Sequence, residues 1–211
     1  MDEIMKTGTT TVALVAKDCI VLAADKRATA GNFIAGKKMD KIQQVDEKMA
    51  ITTAGSVSDI QLIIKIIKAE LVLRKLRSGR ENIVKEGANL AAGIVYNSIR
   101  RFSAVPGVVH FLFAGYDSSG AHLYEIYPDG SISEIEDFIT SGSGGMFAMG
   151  VFDAQYKKDM TQEQAVELAV KGINSALQRD SASGDGIDVV VINKEGFKKI
   201  MTKEINVNLS K

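Results

Sequence analysis

The sequence predicts an α+β fold: a four-layer αββα sandwich, with two antiparallel sheets face to face and helices outside them. Three observations predict it. The segments follow the order strands, two helices, strands, two helices, strands. The helical segments carry apolar residues at three- and four-residue spacing, which makes one buried stripe each. The strand segments are short apolar runs between turns, and sheets built from them need a helical layer on one face and each other on the opposite face. The order alone also permits other α+β packings. Pro106 and Pro128 are the two prolines, and no Gly/Ser-rich linker divides the 211 residues, which suit one sizeable core.

Residues 10–16 and 19–24 read as a hairpin across Lys17-Asp18, rich in the β-branched residues that fit a pleated backbone. A further strand covers 49–53. Residues 57–77 place Ile60, Ile63, Ile64, Ile67, Leu71 and Leu76 at helical spacing, with Ser56 as N-cap and Asp59 in the first turn. A second helix is expected over 82–101, with Ile83, Leu90, Ile94 and Val95 among its apolar positions. Strands return at 108–116 and 122–127, around the turn Asp117-Ser118-Ser119-Gly120. A third helix starts near Gly145. A fourth follows the capping box Thr161/Gln164 and presents Ala165, Leu168, Ala169, Ile173 and Leu177. Residues 187–192 and 197–201 are the last strands.

Composition narrows the function. Hydrophobic residues make up 45% and charged residues 25%, and 26 Lys+Arg balance 26 Asp+Glu. A net charge of zero speaks against a nucleic-acid or membrane-surface partner and is tolerable for a subunit buried in an assembly. The lone Cys19 excludes an intrachain disulfide framework, fits a reducing, cytoplasmic compartment, and reads as strand packing. No apolar run reaches the ~20 residues of a transmembrane helix. The opening MDEIMKTG is too short and too polar for a secretory signal and reads as a leader removed for another reason.

Gly8-Thr9-Thr10-Thr11-Val12 carries the chemistry. A cut after Gly8 would leave Thr9 with a hydroxyl and a free α-amine on the same residue. An α-amine has a reference pKa of roughly 7.7–8.0 and can serve as general base for its own hydroxyl. Alone, the same residues equally suit the start of a strand. Competing motifs fail. Gly31-Asn32-Phe33-Ile34-Ala35-Gly36-Lys37 resembles a phosphate loop, but Lys38 stands where a Mg²⁺-binding Ser or Thr is needed and no helix follows. Ser141-Gly142-Ser143-Gly144-Gly145 is Gly-rich before a helix but has no partner lysine at motif spacing. His110 and His122 lie in strand-like segments without a Gly-x-Ser-x-Gly elbow, and clustered metal ligands are absent from the sequence.

Downstream of Thr9 stand Ala24-Asp25-Lys26-Arg27-Ala28-Thr29, then Lys41, Ala54-Gly55, Ser141-Gly142-Ser143-Gly144 and Arg179-Asp180-Ser181-Ala182-Ser183-Gly184. In this order and spacing, over residues 9–202, the chain resembles proteasome β-type subunits of the archaeal kind. The resemblance implies the N-terminal nucleophile hydrolase fold and threonine-type endopeptidase activity. Residues 1–8 would be a propeptide that the subunit cuts off itself, through attack by Thr9 on the Gly8 carbonyl, and residues 9–211 a single catalytic domain. It implies Thr9 as nucleophile, with Lys41 promoting its ionisation and Asp25 holding Lys41 charged. Gly55 would offer its N–H to the oxyanion, and Ser143, Asp180 and Ser183 would fix the terminal amine and a water network. Thr29 would pair by its backbone with an extended peptide. Ala28, Met39, Gln43, Thr53 and Val57 would line a pocket favouring an apolar residue on the acyl side of the cut. No cofactor or metal is implied. The implied partners are other β subunits in a seven-membered ring, outer α-subunit rings, an ATP-driven unfoldase and unfolded protein substrates. A non-catalytic ring subunit of the same fold and a bacterial-type two-ring relative are the alternatives. Retention of Gly8, Thr9, Asp25, Lys41 and Asp180 favours the catalytic form, and the Arg179–Gly184 segment the proteasome form.

Overall fold

A computed structural model describes residues 8–103 and 107–205. Residues 1–7 of the leader expected over residues 1–8, with Thr7, and Pro106 lie outside the described residues. In chain order the elements are β1 (Thr11–Val15), β2 (Ile20–Asp25), β3 (Ala28–Ala30), β4 (Phe33–Gly36), β5 (Ile42–Asp46), β6 (Met49–Gly55), α1 (Val57–Ser78), α2 (Val84–Ile99), β7 (Val109–Asp117), β8 (Gly120–Ile126), β9 (Ile132–Ile135), β10 (Phe138–Ser141), α3 (Gly145–Gln155), α4 (Gln162–Arg179), β11 (Gly186–Asn193) and β12 (Gly196–Glu204).

Among the described residues, two five-stranded antiparallel sheets form, in the orders β10-β1-β2-β11-β12 and β5-β6-β7-β8-β9, beside the small β3-β4 hairpin. Side-chain alternation along each strand divides the apolar residues among three layers. Ala13, Ile20, Leu22, Leu112, Ala114, Val190 and Ile192 meet between the sheets. Val12, Leu14, Val21, Val189 and Val191 face the other way, onto Ala148 and Phe152 of α3 and Leu168 and Ile173 of α4. Ile51, Phe111 and Phe113 pack on Ile63, Ile67 and Leu71 of α1 and on Ala88, Ala91 and Val95 of α2. This is the expected αββα sandwich. No described helix is long and apolar enough to cross a membrane.

Strand register is what assembles the site. Pairing of Thr11 with Ala24 leaves Thr9 and Thr10 beside Asp25, whose N–H donates to the Thr10 carbonyl at 3.1 Å. Pairing of Thr11 with Ser141 sets residues 142–144 along the other side of Thr9. Pairing of Ile187 with Asp25 brings the turn after α4 to the same corner. In the second sheet, Thr53 N–H donates to the Lys41 carbonyl at 2.9 Å and delivers Lys41 one residue ahead of β5.

Several local expectations change. Ser56 is the N-cap of α1, but its hydroxyl bonds the Asp59 carboxylate rather than a backbone N–H. The second helix begins at Val84, because Asn82 is drawn inward to Asp46 Oδ2 at 2.7 Å and the Leu71 carbonyl at 3.1 Å. The phosphate-loop look-alike folds as the β3–β4 hairpin, with Gly31 in the left-handed region (φ 58°) at the turn. The capping box at Thr161 and Gln164 forms as expected.

Candidate active site

Thr9 and Thr10 lie just ahead of β1, buried, at a point where both edges of the strand are already paired. The Thr9 nitrogen donates to Ser143 Oγ at 3.3 Å, and the Thr9 carbonyl accepts from Gly144 N–H at 3.3 Å. Ser143 Oγ in turn donates to Asp180 Oδ2 at 2.7 Å, which also accepts from Ser183 Oγ at 2.6 Å. Asp180 Oδ1 takes the Ala182 N–H at 3.2 Å. The carboxylate therefore lies one hydroxyl away from the Thr9 nitrogen. Asp180 also closes the C-terminus of α4, the negative end of the helix dipole, where a cation is welcome and a lone carboxylate is not. Three donors hold the carboxylate there, and a cation formed at Thr9 would complete it.

On the other side of Thr9 is a buried ion pair. Lys41 Nζ donates to Asp25 Oδ1 at 2.6 Å, with the Lys41 side chain 4% exposed and Asp25 closed to solvent. Asp25 accepts three more bonds, from Thr10 N–H at 2.8 Å, Arg27 N–H at 3.0 Å and Gly184 N–H at 3.0 Å. These four donors meet the hydrogen-bonding needs of a carboxylate that is closed to water. Burial pushes the Lys41 ammonium below the ordinary lysine range, and the charge and hydrogen bond of Asp25 offset only part of that.

Glycines make the close approaches possible. A Cβ on Gly142 (φ 90°) would fall 2.1 Å from the Thr9 carbonyl oxygen. A Cβ on Gly8 would fall 1.8 Å from Ala182 Cβ, so the residue before Thr9 has no room for a side chain. Gly55 (φ 118°) ends β6 against the Val108 carbonyl and faces two cavities at the site.

The first cavity, about 1370 Å³, is an open groove along residues 28–39, Gly55–Ser58 and Ser141–Ser143. The second, about 380 Å³, is the pocket beside Thr9, and Ala28, Met39, Gln43, Thr53 and Val57 all line it. Gly8 lies in both. Its N–H donates to Thr29 Oγ1 at 2.8 Å, so Thr29 meets this segment through its hydroxyl, where backbone pairing is expected for a substrate.

The structure thus gathers Gly8, Thr9, Asp25, Thr29, Lys41, Gly55, Ser143, Asp180 and Ser183 in one corner of the sandwich. Sequence reasoning treats Thr10 as a strand residue, yet its Oγ1 lies 2.6 Å from Ser183 Oγ and its N–H reaches Asp25, so it joins the two halves of the network. Arg27, quoted but given no role, pins the 181–185 turn through Asp185 at 2.7 Å and the Ser181 carbonyl at 2.9 Å. His110 bridges Glu125 Oε1 at 2.9 Å and Ser141 Oγ at 2.7 Å, and so ties β7 to the strand that leads into residues 142–144. Burial pushes Glu125 up, but its bonds to His110 and Tyr127 reverse this and hold it low.

The family model described as "Proteasome subunit" matches residues 5–192. A "Proteasome subunit beta" of Ferroglobus placidus is 45% identical over 210 residues, covering 100% of this chain and 98% of that protein. Proteins of the same description are 44% identical in Archaeoglobus fulgidus (100% of this chain, 97% of that one) and 39% identical in Methanopyrus kandleri (100% and 99%). A family model spanning nearly the whole chain, and full-length similarity to these archaeal proteins, lead to one conclusion: the chain belongs to the proteasome subunit family.

Proposed function

We propose that the chain is a catalytic β subunit of a proteasome core particle, a threonine endopeptidase that exposes its own nucleophile. The observation that carries this reading is the position of the Thr9 nitrogen. It lies on the Ser143–Asp180 relay, with the buried Lys41–Asp25 pair on its other side and a pocket in front.

In the first reaction Thr9 Oγ attacks the Gly8 carbonyl. The Gly8–Thr9 amide becomes an ester on Oγ, and the nitrogen leaves as the free amine of Thr9. Water then hydrolyses the ester and releases residues 1–8, leaving residues 9–211 as the mature domain. In turnover that amine, directly or through water, takes the Thr9 hydroxyl proton while Oγ attacks a substrate carbonyl. The Lys41 charge favours the alkoxide, and the Gly55 N–H favours the oxyanion. The proton goes to the departing amine of the substrate, and water cleaves the acyl ester. None of these steps needs a cofactor or metal.

Family membership supports assembly with further β subunits in a seven-membered ring, capped by α-subunit rings and fed with unfolded protein by an ATP-driven unfoldase in the cytoplasm. The deciding experiment is the intact mass and N-terminal sequence of the assembled particle, with Thr9→Ala alongside. Thr9 at the terminus of the wild type, with residues 1–8 retained and peptide cleavage abolished in the variant, is expected. A mature wild-type particle that keeps residues 1–8 and cleaves nothing would make the chain a structural ring subunit.

A further inference from the structure

The site straddles two sheets. Thr9, Asp25 and Ser143 are carried by β1, β2 and β10 of the first, while Gly55 ends β6 of the second and Lys41 stands one residue ahead of β5. The distance from Thr9 to the Gly55 N–H therefore depends on how the sheets are offset at this end. The layer between them is aliphatic, with Ala13, Ala24, Ala50 and Ala114 among its members. Such contact attracts without direction, so polar bonds across the layer set the offset.

These crossings include Thr52 Oγ1 of β6, which donates to Thr11 Oγ1 of β1 at 3.2 Å. They also include His110 of β7, which stands closer to the reacting groups. Its neighbour Val109 pairs with Gly55, and its own partner is Ala54. Across the gap, His110 Nδ1 lies 2.7 Å from Oγ of Ser141, the residue before Gly142 and two before Ser143. One imidazole thus spans from the strand beside the oxyanion donor to the strand that carries the Thr9 contacts.

The ring is held from behind. Nε2 lies 2.9 Å from Glu125 Oε1, and the ring stacks on Tyr127, centroids 5.6 Å apart and 19° from parallel. Glu125 is 4% exposed and Ser141 3%. Burial pushes the Glu125 carboxyl up, but the bonds from His110 and Tyr127 hold it below the ordinary glutamate range, so it accepts and Nε2 carries the donated proton. In the neutral ring Nδ1 is then an acceptor and takes the Ser141 O–H. Glu125 orients the ring, and the ring orients Ser141.

We propose that His110, backed by Glu125, is a positioning residue for peptide cleavage: it fixes the offset of the two sheets at the site, and so the placing of Thr9 against the Gly55 N–H. The proposal rests on the peptidase reading above. Misplacement by about 1 Å at a reacting centre costs on the order of 100-fold in rate, so even a fraction of that shift is readable in kcat.

The test uses assembled particles and a fluorogenic tetrapeptide ending in Leu. Rates are counted per processed chain by intact mass, so a variant that merely assembles poorly reads as wild type. His110→Phe keeps an aromatic ring against Tyr127 and makes neither bond. Its kcat is expected to fall at least about tenfold, with KM within about twofold of wild type. His110→Gln can donate to Glu125 and accept from Ser141 through one carboxamide, and its kcat should return to within about threefold of wild type. Ser141→Ala removes one hydroxyl and supplies the readout if the His110 variants do not assemble. It should match His110→Phe, and the double variant should be no slower than either single one. An unmoved kcat in His110→Phe or in Ser141→Ala, or His110→Gln as slow as His110→Phe, overturns the proposal. His110 also lines the open groove, so a raised KM with kcat unchanged would make it a substrate contact and overturn the proposal too. A wild type that cleaves nothing overturns the peptidase reading itself.

Discussion

At Asp25 a single side chain connects the main chain of three segments to Lys41 beside Thr9. Its bonds to Thr10, Arg27 and Gly184 set geometry, and its bond to Lys41 sets charge. Asp25→Asn separates the two roles, because an amide can keep some of the geometry but none of the charge. Lys41 already titrates below the ordinary lysine value, and the charge of Asp25 is the largest influence holding it up. Removing that charge lowers Lys41 further. If the charged lysine supports attack, the alkaline fall in kcat/KM begins below the ordinary lysine range in the wild type and moves to lower pH in Asp25→Asn; an unmoved limb would exclude Lys41 as its source. Gly8→Ala tests the other side of Thr9. Its Cβ has no room against Ala182, so release of residues 1–8, followed by intact mass over time, should slow at least about tenfold. Thr9, Asp25, Lys41 and Asp180 were legible in the sequence only through the family resemblance, since Thr9 alone suits a strand start and a Lys and an Asp sixteen residues apart otherwise read as surface charge. The roles of Thr10 and His110 were not. A hydroxyl or imidazole that bridges two strands is defined by register, and nothing local to Thr10 announces Ser183, 173 residues away.

Among the elements, α4 was the most legible, since its capping box and apolar stripe are both local signals. Strands β9 and β10 escaped notice because each has four residues and draws its stability from neighbours rather than from pattern. Yet β10 delivers Ser141–Ser143 to the site. Its Phe138 packs edge-on against Phe152 of α3, ring centroids 5.5 Å apart, and Phe152 fits over Gly172 of α4. Phe152→Ala should therefore cost about 3–5 kcal/mol in denaturant unfolding. Gly172→Ala sets two effects against each other. Alanine gains about 1 kcal/mol of helix propensity over glycine, but its Cβ would fall 2.5 Å from the Phe152 ring, and overpacking of that kind costs about 1–3 kcal/mol. Net destabilisation is expected, and a stabilised variant would show that the ring has room to move. Cys19, at the head of β2, is a third probe. Burial, reinforced by the charges of Asp18 and Glu163, pushes its thiol up to about 11. At pH 8 a disulfide reagent should modify the native thiol about 100-fold more slowly than the unfolded one.

For the molecule as a whole, zero net charge and an apolar outer surface go together. Helix α1 buries Ile63, Ile67 and Leu71, yet it also exposes Leu62, Val72 and Leu76, the last 75% open to solvent. Apolar groups strung along one helix face suit burial against further subunits. The double variant Val72→Ser/Leu76→Ser should leave the single chain folded, since neither side chain is in a core, and should lower the fraction of assembled particle seen by native mass spectrometry. Full assembly would place the contacts elsewhere. The layered architecture could be read from segment order, but the outward faces could not, because a buried and an exposed isoleucine are the same letter until the helix has a rotation. One consequence of the central placement of β1 remains. A newly cut chain end ordinarily frays, since nothing holds its first residues. Here the strand behind Thr9 is moored on one edge by β2 and on the other by β10, so a cut after Gly8 would alter connectivity without setting the new terminus adrift. The entropy of placing a Thr9 amine would then be settled once, when the sheet forms, and not met again at each turnover.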